Sequence, residues 1–259
     1  MDEGRRGVKP VLLPAAGLIG LLLLLTWAYL VWMDWGMRHM DVGADMWIMP
    51  RMVGWRAADL ALVFLMWAVM MAAMMLPSAL PVILLVAKVS AGIKARHSSI
   101  GLTGAFVTGY LLTWCGFSLA ATLLQWGLLE AALITPMMES ASVALSAAVL
   151  IGAGIYQFTP LKDACLRQCQ SPLSVVMEVA AGPRRALVAG LRHGLYCIGC
   201  CWALMGLLFM TGVMNLVWVL IIAGYVLLEK LLPGTRWLSR VAGVLLCGAG
   251  FWFAIIHVG

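Results

Sequence analysis

Residues 58–87 read ADLALVFLMWAVMMAAMMLPSALPVILLVA, and this stretch decides the class of fold. Apart from Asp59 near its start, none of its side chains carries a charge. About 20 apolar residues in an α-helix are enough to cross the roughly 30 Å hydrocarbon layer of a membrane. The run is continuously apolar and lacks the alternation of a membrane β-strand. It therefore predicts a membrane-spanning helix.

The whole chain has the composition of a protein dissolved in lipid. Of its 259 residues, 64% are hydrophobic and 11% are charged, where soluble domains have roughly 45–50% and about 25%. This excludes a soluble enzyme and a nucleic-acid-binding protein. We predict one all-α membrane domain, a polytopic helical bundle embedded in the bilayer. Its seven expected spans are 11–32, 58–87, 100–124, 140–158, 186–210, 215–232 and 238–257.

The basic residues predict the orientation of the bundle. Fourteen of the 17 lysines and arginines fall in the N-terminal segment and in every second loop after it. Because cytoplasmic loops carry the excess of positive charge, we expect the N-terminus inside and the C-terminus outside. Loop 33–57 is then external and loop 159–185 internal, in the inner membrane of a bacterium. At the inner end of the sixth span, Glu229 and Lys230 are expected to pair with each other or with an inner-loop charge.

Cysteines are the first candidate ligands. Soft thiolates suit copper(I), with zinc as the other possible ion. At 3.6 residues per turn, His193 shares a helix face with the cysteines of span five, but it lies roughly 10 Å from Cys200 along the axis, too far for all of them to hold one ion. Alternatively, cysteines are small buried hydrophobic residues. The predicted ligands beside His193 are Cys197, Cys200 and Cys201 in span five, completed by Cys165 and Cys169 from the inner loop.

Methionines are the second set. Met66, Met70 and Met74 share one face of span two with Asp59. Thioethers are soft, weak ligands for copper(I), and a row of weak sites can pass an ion along because each site also releases it. The plainer interpretation is adaptable apolar packing.

The external loop is the third set. Met37, His39 and Met40 precede span two, and Asp59 lies at its mouth. Thioether, imidazole and carboxylate groups at this density are expected to capture copper outside the membrane. The alternative is an amphipathic segment that lies at the membrane interface.

Three motifs resemble a known family. They are YQFTPLK at 156–162, CLRQCQSP at 165–172 and HGLYCIGCCW at 193–202. With the methionine-rich second span, they resemble the bacterial family of predicted metal-binding integral membrane proteins, whose function is uncharacterised. The resemblance covers roughly residues 58–250. It implies metal binding through the five cysteines at 165, 169, 197, 200 and 201.

Three functions compete at this point. The favoured hypothesis is copper(I) handling, by transport or by delivery to a cuproenzyme. The second is a structural or assembly subunit of a larger membrane complex, in which the sulfur residues only pack. The third is a membrane thiol redox protein, because Cys197 and Cys200 have the CxxC spacing of redox-active pairs. No nucleotide-binding loop or catalytic triad order is visible, so we do not predict an enzyme.

Overall fold

The computed structural model describes residues 3–38, 57–92, 99–131, 143–171, 173–212, 215–232, 234 and 236–258. Their secondary structure is helical, with no strand in these ranges. This confirms the all-α prediction. The helices are α1 Glu3–Arg38, α2 Ala57–Gly92, α3 Ser99–Glu130, α4 Val143–Tyr156, α5 Pro160–Gln170, α6 Leu173–Val179, α7 Pro183–Gly206, α8 Leu208–Thr211, α9 Leu216–Leu231 and α10 Arg236–Val258.

Five of the described helical segments are long and apolar enough to cross a membrane. They correspond to the predicted spans one, two, three, five and seven. The fourth predicted span holds α4, which has 14 residues and continues into α5 after a 63° bend, so that the pair can form a sixth, broken span. The sixth predicted span holds α9, whose 16 residues are about 24 Å long at 1.5 Å per residue. This is shorter than the roughly 30 Å hydrocarbon layer. A count of seven spans stays a prediction.

The bend between α4 and α5 has a local cause in the sequence. Thr159 caps the start of α5, where its side chain accepts a hydrogen bond from the backbone N–H of Lys162. Pro160 follows at the first helical position, which its fixed φ suits and where a missing N–H costs nothing. The chain therefore leaves α4 and turns so that α5 lies against α7.

Helix α7 is the centre of the bundle and packs most extensively on α3. Glycines permit this close approach, and the spacing Gly190-x3-Gly194 on α7 is typical of helices that pack closely. A Cβ at Gly190 would overlap the backbone carbonyl of Phe106, and one at Gly109 would overlap that of Leu187. On its other sides α7 contacts α5 and α6, while α2 packs on α1, α3 and α9.

A buried charged network joins α5, α9 and α10. The Lys162 ammonium donates a hydrogen bond to Glu229 at 2.6 Å, and both side chains are almost fully buried. Tyr225 and Ser239 also donate to the same Glu229 oxygen, and Lys162 donates to the side-chain oxygen of Gln157. Of the two predicted pairings, Glu229 adopts the one with an inner-loop charge. We call these five residues the polar network.

Candidate metal centre

Four thiols from two helices meet in the core. Cys197, Cys200 and Cys201 are each at most 1% exposed, on the face of α7 that the helical spacing predicts. The thiol of Cys169 on α5 is also buried and lies close enough to that of Cys200 for the two to interact. The thiol of Cys201 lies near those of Cys197 and Cys200. We call these four residues the thiol cluster.

Cys165, the other predicted inner-loop ligand, lies at the edge of this cluster. Its side chain is half-buried and sits against Gly199, where an added Cβ would lie 2.6 Å from the Cys165 sulfur. The hydroxyl of Tyr156 donates a hydrogen bond to the Gly199 carbonyl beside it. The structure thus brings both inner-loop cysteines to α7, with Cys169 buried inside the cluster and Cys165 beside it.

The thiols are all free, and each sulfur of α7 already has a partner. Cys200 and Cys201 both donate hydrogen bonds to the backbone carbonyl of Cys197, at 3.0 Å each. Consistent with these bonds, no three His, Cys, Asp or Glu side chains in the described part of the chain are arranged to hold a metal ion. Ion binding by this cluster therefore requires the thiols to lose their protons and turn away from that carbonyl.

Lys230 reaches the thiol cluster from α9. Its ammonium lies 2.7 Å from the sulfur of Cys197 and 3.1 Å from the hydroxyl of Ser78 on α2. The sequence places Lys230 at the end of a span and gives no sign of this contact. Only the packing of α9 against α2 directs the side chain inward.

Tyr110 is a second residue that sequence reasoning missed. Its hydroxyl lies 3.1 Å from the Cys197 sulfur and 3.1 Å from the backbone carbonyl of Met75, and the ring is fully buried. Tyr110 therefore connects α3 to both α2 and α7. A tyrosine in the middle of a predicted span is a polar group in hydrocarbon, which is the signal that marks it.

His193 lies one turn before Cys197 and is 5% exposed. Its ring packs against Phe106 and Tyr110, with ring centroids 5.9 Å apart in both cases. The Nδ1 atom is buried without a hydrogen-bond partner in the described residues. A buried imidazole nitrogen that no protein group satisfies is able to accept a ligand.

The methionine face of α2 is buried in the same hydrophobic core. Met66, Met70 and Met74 are each at most 3% exposed, as are Met71 and Met75 beside them. The carbonyl of Met75 joins this face to the thiol cluster through Tyr110. The sequence does not show whether span two meets span five. In the structure, side chains of α3 and α9 connect the two: Tyr110 and Lys230 each contact both α2 and Cys197.

Most of the predicted external capture residues lie outside the part of the chain that the structure describes. His39 and Met40 fall outside the described residues, and so does the side chain of Met37 at the end of α1. Asp59 lies in the first turn of α2 and is 7% exposed. Its role in copper capture stays a prediction.

The comparisons with known proteins agree with this chemistry. The family model described as PpoB2, copper chaperone, matches residues 64–253. The chain belongs to the PpoB2 copper chaperone family. The matched range of this copper chaperone family contains the thiol cluster, Tyr110, His193 and Lys230. No curated protein and no solved structure matches the chain.

Family membership bears on the expectations from sequence. The resemblance to a metal-binding family is confirmed as far as a copper-related family. The copper chaperone family also fits the expected cuproenzyme partner, and the apolar helices fit a lipid environment. The individual ligands stay predictions.

Proposed function

We propose that this protein is an integral membrane chaperone that holds copper(I) in its thiol cluster and delivers it to a cuproenzyme. The observation that carries the proposal is the burial of four thiols from α5 and α7 at one point of the core. Thiolates prefer copper(I) to hard cations. A buried location also shields the bound ion from water and from oxidation.

Two helices share the proposed ligands, and this suits release as well as binding. Cys197, Cys200 and Cys201 are fixed on α7, whereas Cys169 comes from α5, an 11-residue helix that follows the 63° bend. A small movement of α5 removes one thiol without disturbing the other three. The cluster can thus change from a tight to a weaker site when a partner docks.

The proposed path to the cluster runs along α2. Asp59 stands at its start, and Met66, Met70 and Met74 follow on the same face. Copper(I) captured by Met37, His39 and Met40 outside the bacterial inner membrane would pass along these thioethers. Affinity rises from thioether to thiolate, which drives the ion toward the cluster.

Copper stoichiometry tests the ligand assignment. Purified protein in detergent is loaded with copper(I) under anaerobic, reducing conditions, and bound metal is measured by elemental analysis. We expect the triple variant Cys197→Ser, Cys200→Ser, Cys201→Ser to lose the bound ion. The control variant Cys115→Ser, Cys247→Ser changes cysteines on α3 and α10, and it should keep the bound copper(I).

Transfer experiments test delivery against transport. Loaded protein is mixed with a copper-free cuproenzyme, and in parallel copper(I) flux is followed in sealed proteoliposomes. Transfer without flux supports a chaperone, whereas flux indicates a transporter. A triple variant that binds as much copper as the wild type would contradict the proposal and favour a structural subunit. A Cys197–Cys200 disulfide in cells would favour the redox hypothesis.

A further inference from the structure

Lys230 places a positive charge beside the proposed copper site. Its ammonium contacts the Cys197 sulfur at 2.7 Å, and its other partner is the neutral hydroxyl of Ser78. A charged side chain within a hydrophobic bundle is costly unless a charge of opposite sign faces it. The group placed to carry that negative charge is the cluster itself, once its thiols ionise.

Neighbouring charges do not alter this balance. Glu229, the residue before Lys230, points to the polar network, where the Lys162 ammonium lies 2.6 Å away and neutralises it. That pair contributes no net charge to its surroundings. Lys230 therefore adds one positive charge to the surroundings of Cys197.

The charge count distinguishes monovalent from divalent ions. Whatever the number of thiolates that bind, the copper(I) complex carries one more negative charge than the zinc(II) complex. The Lys230 ammonium therefore stabilises the copper(I) complex more, by one unit-charge interaction. In a poorly solvated site such an interaction is only weakly screened.

We propose that Lys230 is a specificity-determining residue, whose fixed positive charge makes the thiol cluster select monovalent over divalent metal ions. This inference rests on the proposed copper site and adds the basis of its discrimination. Lys230 acts on the ion through space and through Cys197, and it is not a metal ligand. Ser78 and the Cys197 sulfur hold the ammonium in place.

The test compares the affinities for copper(I) and zinc(II) in lysine variants. Both are measured at one pH by competition with chromophoric chelators, copper(I) anaerobically with a reductant. Lys230→Met keeps the length of the side chain and removes its charge, and Lys230→Arg keeps the charge. Lys88→Met is the matched control, because Lys88 is exposed on the same helix as Ser78.

We expect Lys230→Met to lower the ratio of copper(I) to zinc(II) affinity by roughly 100- to 1,000-fold, which is one unit-charge interaction at about 5 Å with an effective dielectric constant near 20. Lys230→Arg and Lys88→Met should keep the wild-type ratio. If Lys230→Met does not fold, Lys230→Gln gives the same comparison with a side chain that can still bond to Ser78.

An unchanged ratio in the neutral variant overturns the inference, and so does a loss of both affinities by the same factor. In either case the wild type still binds copper(I) through its cysteines, and the proposed function stands. If wild-type protein and the triple serine variant bind copper(I) equally, the proposed function fails and the inference fails with it. The two failures are therefore distinguishable.

Discussion

The thiol cluster and the polar network lie side by side, and adjacent residues of α9 serve them. Glu229 enters the polar network, where it accepts hydrogen bonds from Lys162, Tyr225 and Ser239. Lys230 enters the thiol cluster, where a sulfur and a hydroxyl receive its ammonium. One region pairs opposite charges, and the other places a cation against ionisable sulfur.

The difference indicates two roles. A buried ion pair whose carboxylate has three donors gains nothing from a further ligand, and its value is to fix α5, α9 and α10 relative to one another. The thiol cluster has weak sulfur hydrogen bonds and an unsatisfied imidazole nitrogen next to it at His193. Such a region gains from binding an ion. We therefore interpret the polar network as the scaffold and the thiol cluster as the proposed copper site.

Breaking the network should have the largest effect, and on folding. Lys162→Met leaves the Glu229 carboxylate buried without its counter-ion, and we expect a loss of about 3–5 kcal/mol of stability. Unfolding of the detergent-solubilised protein by heat or denaturant measures it. Replacing both partners, Lys162→Met with Glu229→Gln, should recover much of the loss. If Lys162→Met were as stable as Lys88→Met, the scaffold role would be wrong.

The contact between α3 and α7 is the next target, because it positions Tyr110 against Cys197. Gly190→Ala places a methyl group on the Phe106 carbonyl, and overpacking of this kind costs about 1–3 kcal/mol. We expect both lower stability and weaker copper(I) binding. Gly116→Ala, on α3 with open space around it, should leave the copper(I) affinity unchanged. Equal copper affinity in the two variants would argue against a role for this contact in the site.

Single cysteine variants sharpen the boundary of the cluster. We expect Cys169→Ser, which removes a proposed ligand, to weaken copper(I) binding by at least about 10- to 100-fold, because loss of a group that only supports a metal ligand already costs this much. Cys165→Ser, outside the cluster beside Gly199, should cost less. Chelator competition on the two purified variants gives the comparison. The reverse order would move the site toward Cys165.

Removing the Tyr110 hydroxyl tests a partner of Cys197 without touching a thiol. Tyr110→Phe keeps the buried ring and should lower copper(I) affinity by about tenfold. Tyr29→Phe, on α1, serves as the control and should bind like the wild type. An affinity unaffected by the loss of the Tyr110 hydroxyl would show that this hydrogen bond serves packing alone.

The methionine face should have the smallest effect at equilibrium. Leucine matches methionine in volume, so replacing Met66, Met70 and Met74 by Leu preserves the packing while removing the thioethers. We expect copper(I) loading in proteoliposomes to slow by several-fold, with little change in final affinity, because weak sites on a path affect rate rather than occupancy. An unchanged loading rate would leave these methionines as packing residues.

Sequence reasoning located the helices well because lipid imposes a simple requirement. Each predicted segment overlaps at least one described helix, since an apolar backbone satisfies its own hydrogen bonds most simply as a helix. That all seven segments cross a membrane stays a prediction. Sequence reasoning also placed Cys197, Cys200 and Cys201 on one buried face, because helical periodicity is a local property. It was less exact for α9, whose 16 residues fall short of a full crossing.

Contacts between segments that are distant in the chain could not be predicted from the sequence. The spacing of Cys165 and Cys169 fits either as a ligand, and only the position of α5 against α7 buries Cys169 inside the cluster. Tyr110 and Lys230 lie 87 and 33 residues from Cys197 in the chain. Their roles follow from helix packing, which no local pattern encodes.

The sequence by itself determined the apolar helices, which suit a lipid environment, and the soft chemistry of the candidate donors, because hydrophobicity, periodicity and side-chain type are properties of each segment alone. Only the tertiary structure decided which donors meet, and that Glu229 and Lys230 diverge to different partners. Neighbours on a helix point about 100° apart, so adjacent charges can enter separate environments. Which environments these are depends on the helices that pack around them.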